Sequence, residues 1–233
     1  MNFRNKHVVV TGGTGGLGTE VVRVLLAAGA TCHIPSFRAE IRSDWPHSGH
    51  ERVRVTTGVN LSDEAAVSAF YQALPSLWAS VHCAGGFGMS AVSETGLSEL
   101  KRLMTMNVET CFLCCREAVK AIRASGGEGR IVNVAARPAL EPRSGAGMAP
   151  YAASKAAVVA LTVALATEVA AEGVLVNAVA PSIINTRANR EAMPDADHSA
   201  WPTPTNLAHT LCWLASPQNE ASTGGVLPVS GRT

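Results

Sequence analysis

Short runs of β-branched residues alternate with helix-length segments along the whole chain, and the first of them, HVVVT, runs straight into the glycine-rich TGGTGGLG of residues 11–18. HVVVT (7–11) precedes a helical stretch over Gly16–Ala28, TCHI (31–34) a loop, and VRVTT (53–57) the helix-favouring DEAAVSAFYQAL. WASVHCA (78–84) leads to a long helix from about Leu97 to Ser125, and RIVNVAA (130–136) to a helix from about Tyr151 to Glu172. VLVNAVA (174–180) leads to an irregular segment, after which a helix near Asn206–Ala215 precedes GVLPVS (225–230). Seven strands joined mostly by helical crossovers imply a parallel sheet covered on both faces, a doubly wound α/β fold.

The glycine run fits a phosphate-binding turn. Glycines let the backbone turn tightly and approach a pyrophosphate, whose charge is favoured by the free N–H groups at a helix start. Two registers coexist in it, Gly13-x-Gly15-x-x-Gly18 and Thr11-Gly12-x-x-x-Gly16-x-Gly18. The position between a first strand and a first helix makes a dinucleotide the expected ligand. An NAD-preferring site offers an acid at the end of the second strand, about twenty residues past the turn. HIPSFRAE has none there; Ser36 and Arg38 stand near that place, and Arg38 suits a 2′-phosphate. NADP(H) is therefore favoured over NAD(H), with Ser36 on a ribose hydroxyl of NAD as the alternative.

Composition removes several classes. The formal net charge is +1, aromatics are 5% and no dense Lys/Arg run occurs, so a nucleic-acid partner is not expected. The N-terminus lacks a signal-peptide pattern and no apolar run reaches a membrane span, so no membrane association is expected. Six cysteines, at 32, 83, 111, 114, 115 and 212, have no disulfide-framework spacing, which points to reduced thiols and a cytoplasmic location. The CxxC within CFLCC (111–115) has no second pair and no histidine at ligand spacing, so no metal is expected. Hydrophobic residues at 47% against charged residues at 16% suggest that much surface faces other subunits.

YAASK (151–155) puts Tyr151 and Lys155 on one helix face, four residues apart. A phenol with a pKa of about 10 is a poor proton shuttle at neutral pH, and a neighbouring cation lowers that value. TGGTGGLG, HCAG (82–85), Asn107 in MNVETCF, RIVNV and YAASK, in this order and spacing, resemble the short-chain dehydrogenase/reductase superfamily across nearly the whole chain. The resemblance implies one Rossmann-like domain over 1–233 and hydride transfer between a small molecule and NAD or NADP. It implies Tyr151 as acid/base and Lys155 as holder of the nicotinamide ribose and depressor of the phenol pKa. Asn107 would support a water linking Lys155 to solvent. Gly12, Gly16 and Gly18 match the phosphate turn, with Thr14 and Leu17 beside them. Ala84 and Gly85 match the NNAG motif, whose two asparagines are His82 and Cys83 here. Pro181 and Thr186 match the loop that contacts the nicotinamide.

One departure bears on the substrate. Where the family carries a catalytic serine, IVNVAA has Ala136; Ser144 in RSGAG is a substitute or a plain loop serine. Losing such a donor costs roughly 10²–10³ in rate, which favours an acceptor that takes hydride readily. The dihydropteridine reductase branch has alanine there, and CAGGF, AARPAL, GMAPYAASK and NTRANREAMPDADHSAW (185–201) resemble it locally. The expected acceptor is a conjugated C=N or quinonoid compound or an activated carbonyl. The alternatives are an ordinary carbonyl reductase or alcohol dehydrogenase, and a nucleotide-binding sensor or scaffold without turnover. Residues 183–205 are expected to fold over the substrate, with Phe87, Met148, Met193 and Trp201 as pocket walls or core. The apolar helix from Tyr151 and the cysteine-rich helix are expected to meet their copies in a homodimer or homotetramer.

Overall fold

A computed structural model describes residues 1–233. Seven parallel strands form one sheet: β1 (His7–Thr11), β2 (Thr31–Pro35), β3 (Val53–Thr56), β4 (Ala79–His82), β5 (Gly129–Val134), β6 (Val174–Pro181) and β7 (Val226–Val229). Their order is β3-β2-β1-β4-β5-β6-β7. The chain switches direction between β1 and β4, the crevice where doubly wound sheets bind their ligands. Strand alternation divides the core. Val8 and Val10 belong to the cluster under the first and last helices, and Val9 points into the cluster on the other face.

The helices are α1 (Gly16–Ala27), α2 (Glu64–Gln72), α3 (Leu97–Met104), α4 (Thr110–Ala124), α5 (Arg137–Leu140), α6 (Ala149–Val169), α7 (Arg187–Ala192) and α8 (Pro204–Leu214). Asp63 caps α2 by accepting the N–H groups of Ala65 and Ala66. Thr203 and Asn206 form a reciprocal capping box at α8. No helix joins β2 to β3. There the indole of Trp45, 6% exposed, fills the gap and donates from Nε1 to Thr19 Oγ1 at 3.1 Å.

Three sequence expectations change. The long helix over 97–125 is two helices joined by a π-helical turn at Thr105–Glu109, which buries Asn107; such one-residue insertions recur at functional sites. The helix expected from Tyr151 begins at Ala149, because Pro150 suits a first helical turn. The third concerns length: Ala149–Glu172 is in fact long and apolar enough to cross a membrane. It is a wall of the core instead. Val158, Ala166 and Val169 pack against the sheet, and Ser154, Lys155 and Thr162 are buried polar groups with partners inside the fold.

Candidate active site

The turn after β1 is held to the end of β4. Thr11 accepts the Ala84 N–H on its Oγ1 at 3.2 Å and the Cys83 N–H on its carbonyl at 3.2 Å. Gly12 has φ +64°, and a Cβ there would lie 2.9 Å from Ala84 N. A Cβ on Gly18 would collide with the Gly12 carbonyl oxygen. Gly16 differs: its nearest obstacle is Thr186 Cγ2 at 3.7 Å. Gly12 and Gly18 are thus required by the protein's own backbone, whereas Gly16 leaves room over the helix start, a cradle that fits a dinucleotide pyrophosphate. Thr14 and Leu17 are half-buried beside it.

The two positions separate in experiment. Gly18→Ala should lower unfolding free energy by about 1–3 kcal/mol or more through overpacking. Gly16→Ala, at a helix start with open space, should leave stability unchanged or raise it by up to ~1 kcal/mol, while weakening dinucleotide binding. Denaturant titration and cofactor titration of both variants check this; equal loss of stability in the two would contradict it.

Tyr151 and Lys155 lie one turn apart on α6, as expected. Lys155 is 6% exposed and its Nζ donates to the Val134 carbonyl at 2.8 Å. Burial pulls its pKa down to about 8, so the ammonium is still the main form at pH 7. The Tyr151 ring meets Phe87 edge-on at 5.0 Å, and its hydroxyl makes no hydrogen bond within the chain. Burial pushes the phenol up to about 12. The expected depression by Lys155 is therefore absent: the ammonium is bonded to Val134, and desolvation governs the phenol.

Asn107 is tied to the loop after β4. Its Oδ1 accepts the Gly86 N–H at 2.8 Å, and its Nδ2 donates to Gly86 O and Ser154 Oγ, both at 3.0 Å. The side chain clamps the loop after β4 to α6, and Oδ1 keeps a second lone pair for a water. Gly85 is wedged in the same place, since a Cβ there would come within 2.7 Å of Asn107 Oδ1 and 3.4 Å of Lys155 Nζ.

Ala136 is 3% exposed and brings only a methyl group to the end of β5. Ser144 does not replace the missing hydroxyl: it is exposed and donates to its neighbour Glu141 O at 2.8 Å. Phe87 is the expected wall residue brought against Tyr151. Met148 is half-buried at the start of α6, and half-buried Met193 ends α7. Trp201 is buried, 7% exposed, with its ring 4.7 Å from that of His198 within the 183–205 segment. That segment carries α7, capped by Thr186, and Asn185 ties it by donating to the Pro202 and His198 carbonyls. Pro181 is buried at the end of β6. Ser36 directly follows β2 with its Oγ accepting the Arg38 N–H at 3.2 Å, and the exposed Arg38 guanidinium forms no ion pair.

Two residues escaped the sequence reading. Arg102, paired with Glu99 one turn earlier on α3, donates from Nη2 to Phe87 O at 3.0 Å and so holds the loop that carries Phe87. The i,i+3 charge pair was the available signal. His82 is the hub of a buried network: Nε2 bonds Ser80 Oγ and Nδ1 bonds Asn133 Oδ1, both at 2.8 Å, and Asn133 donates to Thr162 Oγ1 at 2.9 Å. Only the sheet order brings these partners together.

A separate cleft of about 430 Å³ is lined by His7, His33, Arg54, Thr56 and Phe70 among others. It sits away from the carboxyl ends of the strands, where this architecture binds ligands, so the groups around Tyr151 remain the candidate site.

A sequence profile described as short chain dehydrogenase matches residues 6–197. The (2S)-[(R)-hydroxy(phenyl)methyl]succinyl-CoA dehydrogenase subunit BbsD of Thauera aromatica is 31% identical, the match covering 99% of this chain and 97% of that protein. The 3beta-hydroxysteroid dehydrogenase 1 of Eggerthella lenta is 30% identical, covering 99% and 94%. A solved structure of ElxO with NADP bound superposes with a TM-score of 0.87 at 26% identity, over 97% of both chains.

Proposed function

The chain belongs to the short-chain dehydrogenase/reductase family and is an NAD(P)-dependent oxidoreductase; from that premise we propose that it reduces an acceptor which needs no serine donor, with Tyr151 giving the proton. The bound nicotinamide would supply the hydride. Tyr151 would donate from Oη, which has no hydrogen-bond partner in the chain. Burial holds the phenol near 12, so it carries the proton at neutral pH and would release it only as the acceptor gains basicity on taking the hydride. Lys155 would hold the nicotinamide ribose, and Asn107 would fix Gly86 and α6 so that Phe87 stays against the tyrosine ring.

The observation that carries the acceptor class is the methyl group of Ala136 where a hydroxyl would orient a plain carbonyl, with Ser144 bonded away. A conjugated C=N or quinonoid compound of the dihydropteridine kind, or an activated carbonyl, tolerates that loss. The second reading, an ordinary carbonyl reductase or alcohol dehydrogenase, is favoured by the relatives, two of which are named as dehydrogenases of acyl-CoA and steroid compounds. Oxidation of NADH and NADPH should be followed with quinonoid dihydropterin and with a ketone panel. Turnover of ketones alone, unimproved by Ala136→Ser, would overturn the first reading.

For the cofactor, unpaired Arg38 at the end of β2 supports NADP(H), and a lower KM for NADH than for NADPH would count against it. The six free thiols fit a reducing, cytoplasmic setting. Phe112 on α4 and Val163 on α6 are exposed apolar residues on the outer faces of these helices, at 48% and 43%. We read this face as the contact between copies in a homodimer or homotetramer; size-exclusion chromatography at micromolar concentration should give at least twice the chain mass, and a monomer would refute it.

A further inference from the structure

We propose that His82, Cys111 and Cys115 form a zinc site that pins α4 to the sheet beneath the active centre. The three donor atoms lie within 4.8 Å of one another and all three residues are buried. Cys111 and Cys115 are four residues apart on one face of α4, and the pairing of His82 with Asn133 across β4 and β5 brings a carboxamide oxygen to the same place.

The spacing is that of a tetrahedral donor set. Zinc–sulfur and zinc–nitrogen bonds of about 2.3 and 2.0–2.1 Å put neighbouring ligand atoms roughly 3.5–3.8 Å apart. Cys115 Sγ is 3.6 Å from His82 Nδ1 and 3.5 Å from Asn133 Oδ1, which makes Asn133 the fourth donor. His82 Nδ1 and Asn133 Oδ1, 2.8 Å apart, need to separate by about 0.5–0.7 Å to reach tetrahedral spacing, and Cys111 must close in by a rotamer adjustment.

The imidazole is already oriented for this role. His82 Nε2 bonds Ser80 Oγ, which bonds Tyr71 OH, both at 2.8 Å, so the far ring nitrogen has the supporting partners that metal-binding histidines use. Charge favours the site as well. Two thiolates, a neutral imidazole and a carboxamide cancel the two charges of zinc, so nothing net is buried in the core. The sulfur-rich donor set selects a thiophilic d¹⁰ ion over magnesium or calcium.

The test uses the full chain, refolded in the presence of Zn²⁺ and desalted, with metal content measured by mass spectrometry. The native chain and Cys114→Ala, whose thiol lies outside the cluster, should each keep about one zinc per chain. His82→Asn and the double variant Cys111→Ala/Cys115→Ala should keep about a tenth of that or less, as loss of a required ligand dictates. Refolding with Co²⁺ should give thiolate-to-cobalt charge-transfer bands in the native chain and none in His82→Asn. If the double variant fails to fold, His82→Asn decides, since asparagine still offers a hydrogen-bonding partner to Asn133. A native zinc content equal to that of His82→Asn, or zinc retained without both cysteines, overturns the site.

Discussion

Replacing Tyr151 by phenylalanine should cut turnover by roughly a hundred- to ten-thousand-fold, the range that a lost general acid commonly costs. Fold and cofactor affinity should stay as they are. The ring keeps its edge contact with Phe87 at 5.0 Å, and the deleted hydroxyl has no partner in the chain to leave unsatisfied. Unfolding free energy should therefore move by no more than about 0.5 kcal/mol. Single-turnover measurements with NADPH beside a binding titration separate the two effects. Because burial holds the phenol up to about 12, the protonated donor dominates through neutral pH, and the rate of reduction should decline only on the alkaline side. A variant keeping more than about a tenth of native turnover would assign the proton to another group.

The fold was legible because its signals are local. β-branched runs of the right length, glycine at the first strand–helix junction and the spacing of apolar residues specify seven strands and their covering helices without any knowledge of pairing. The strands appear within a residue or two of the expected positions. What escaped was set by tertiary contacts. The π-helical turn at Asn107 reflects the fit of α3 and α4 to the loop after β4, and α5 and α7 are too short to carry a periodic pattern.

At the site, residue identities were legible and their environments were not. Tyr151 and Lys155 share a face of α6 and Asn107 meets Lys155 at Gly85, yet the electrostatics run the other way from the simplest reading. Adjacency on a helix face suggested an ammonium acting on a phenol; the fold buries both, and desolvation moves the phenol up and the amine down. CFLCC likewise offered no histidine along the chain, whereas the sheet brings His82 to it from 29 positions before Cys111.

Lys155→Met should remove activity and make the chain more stable, two outcomes that a purely structural lysine would not combine. The ammonium is 6% exposed, and burial lowers its pKa from 10.5 to about 8. At about 1.36 kcal/mol per unit, keeping it charged in the folded state costs on the order of 3 kcal/mol below pH 8. Methionine relieves that cost with similar volume, but forfeits the bond to Val134 O, worth about 1 kcal/mol. The expected net gain at pH 7 is about 1–2 kcal/mol, a rise of a few degrees in Tm for a chain of this size. The sign of the pH dependence follows. Between the folded pKa of about 8 and the unfolded 10.5 the unfolded chain binds more protons, so native stability climbs with pH across that window. The advantage of the methionine variant is accordingly full below pH 8 and gone above 10.5. Thermal unfolding of both proteins at pH 7 and near pH 10.5, beside turnover at pH 7, measures all of this. A variant less stable than the native chain at pH 7 would mean that the Val134 bond outweighs the buried charge, and that Lys155 holds the site together rather than straining it.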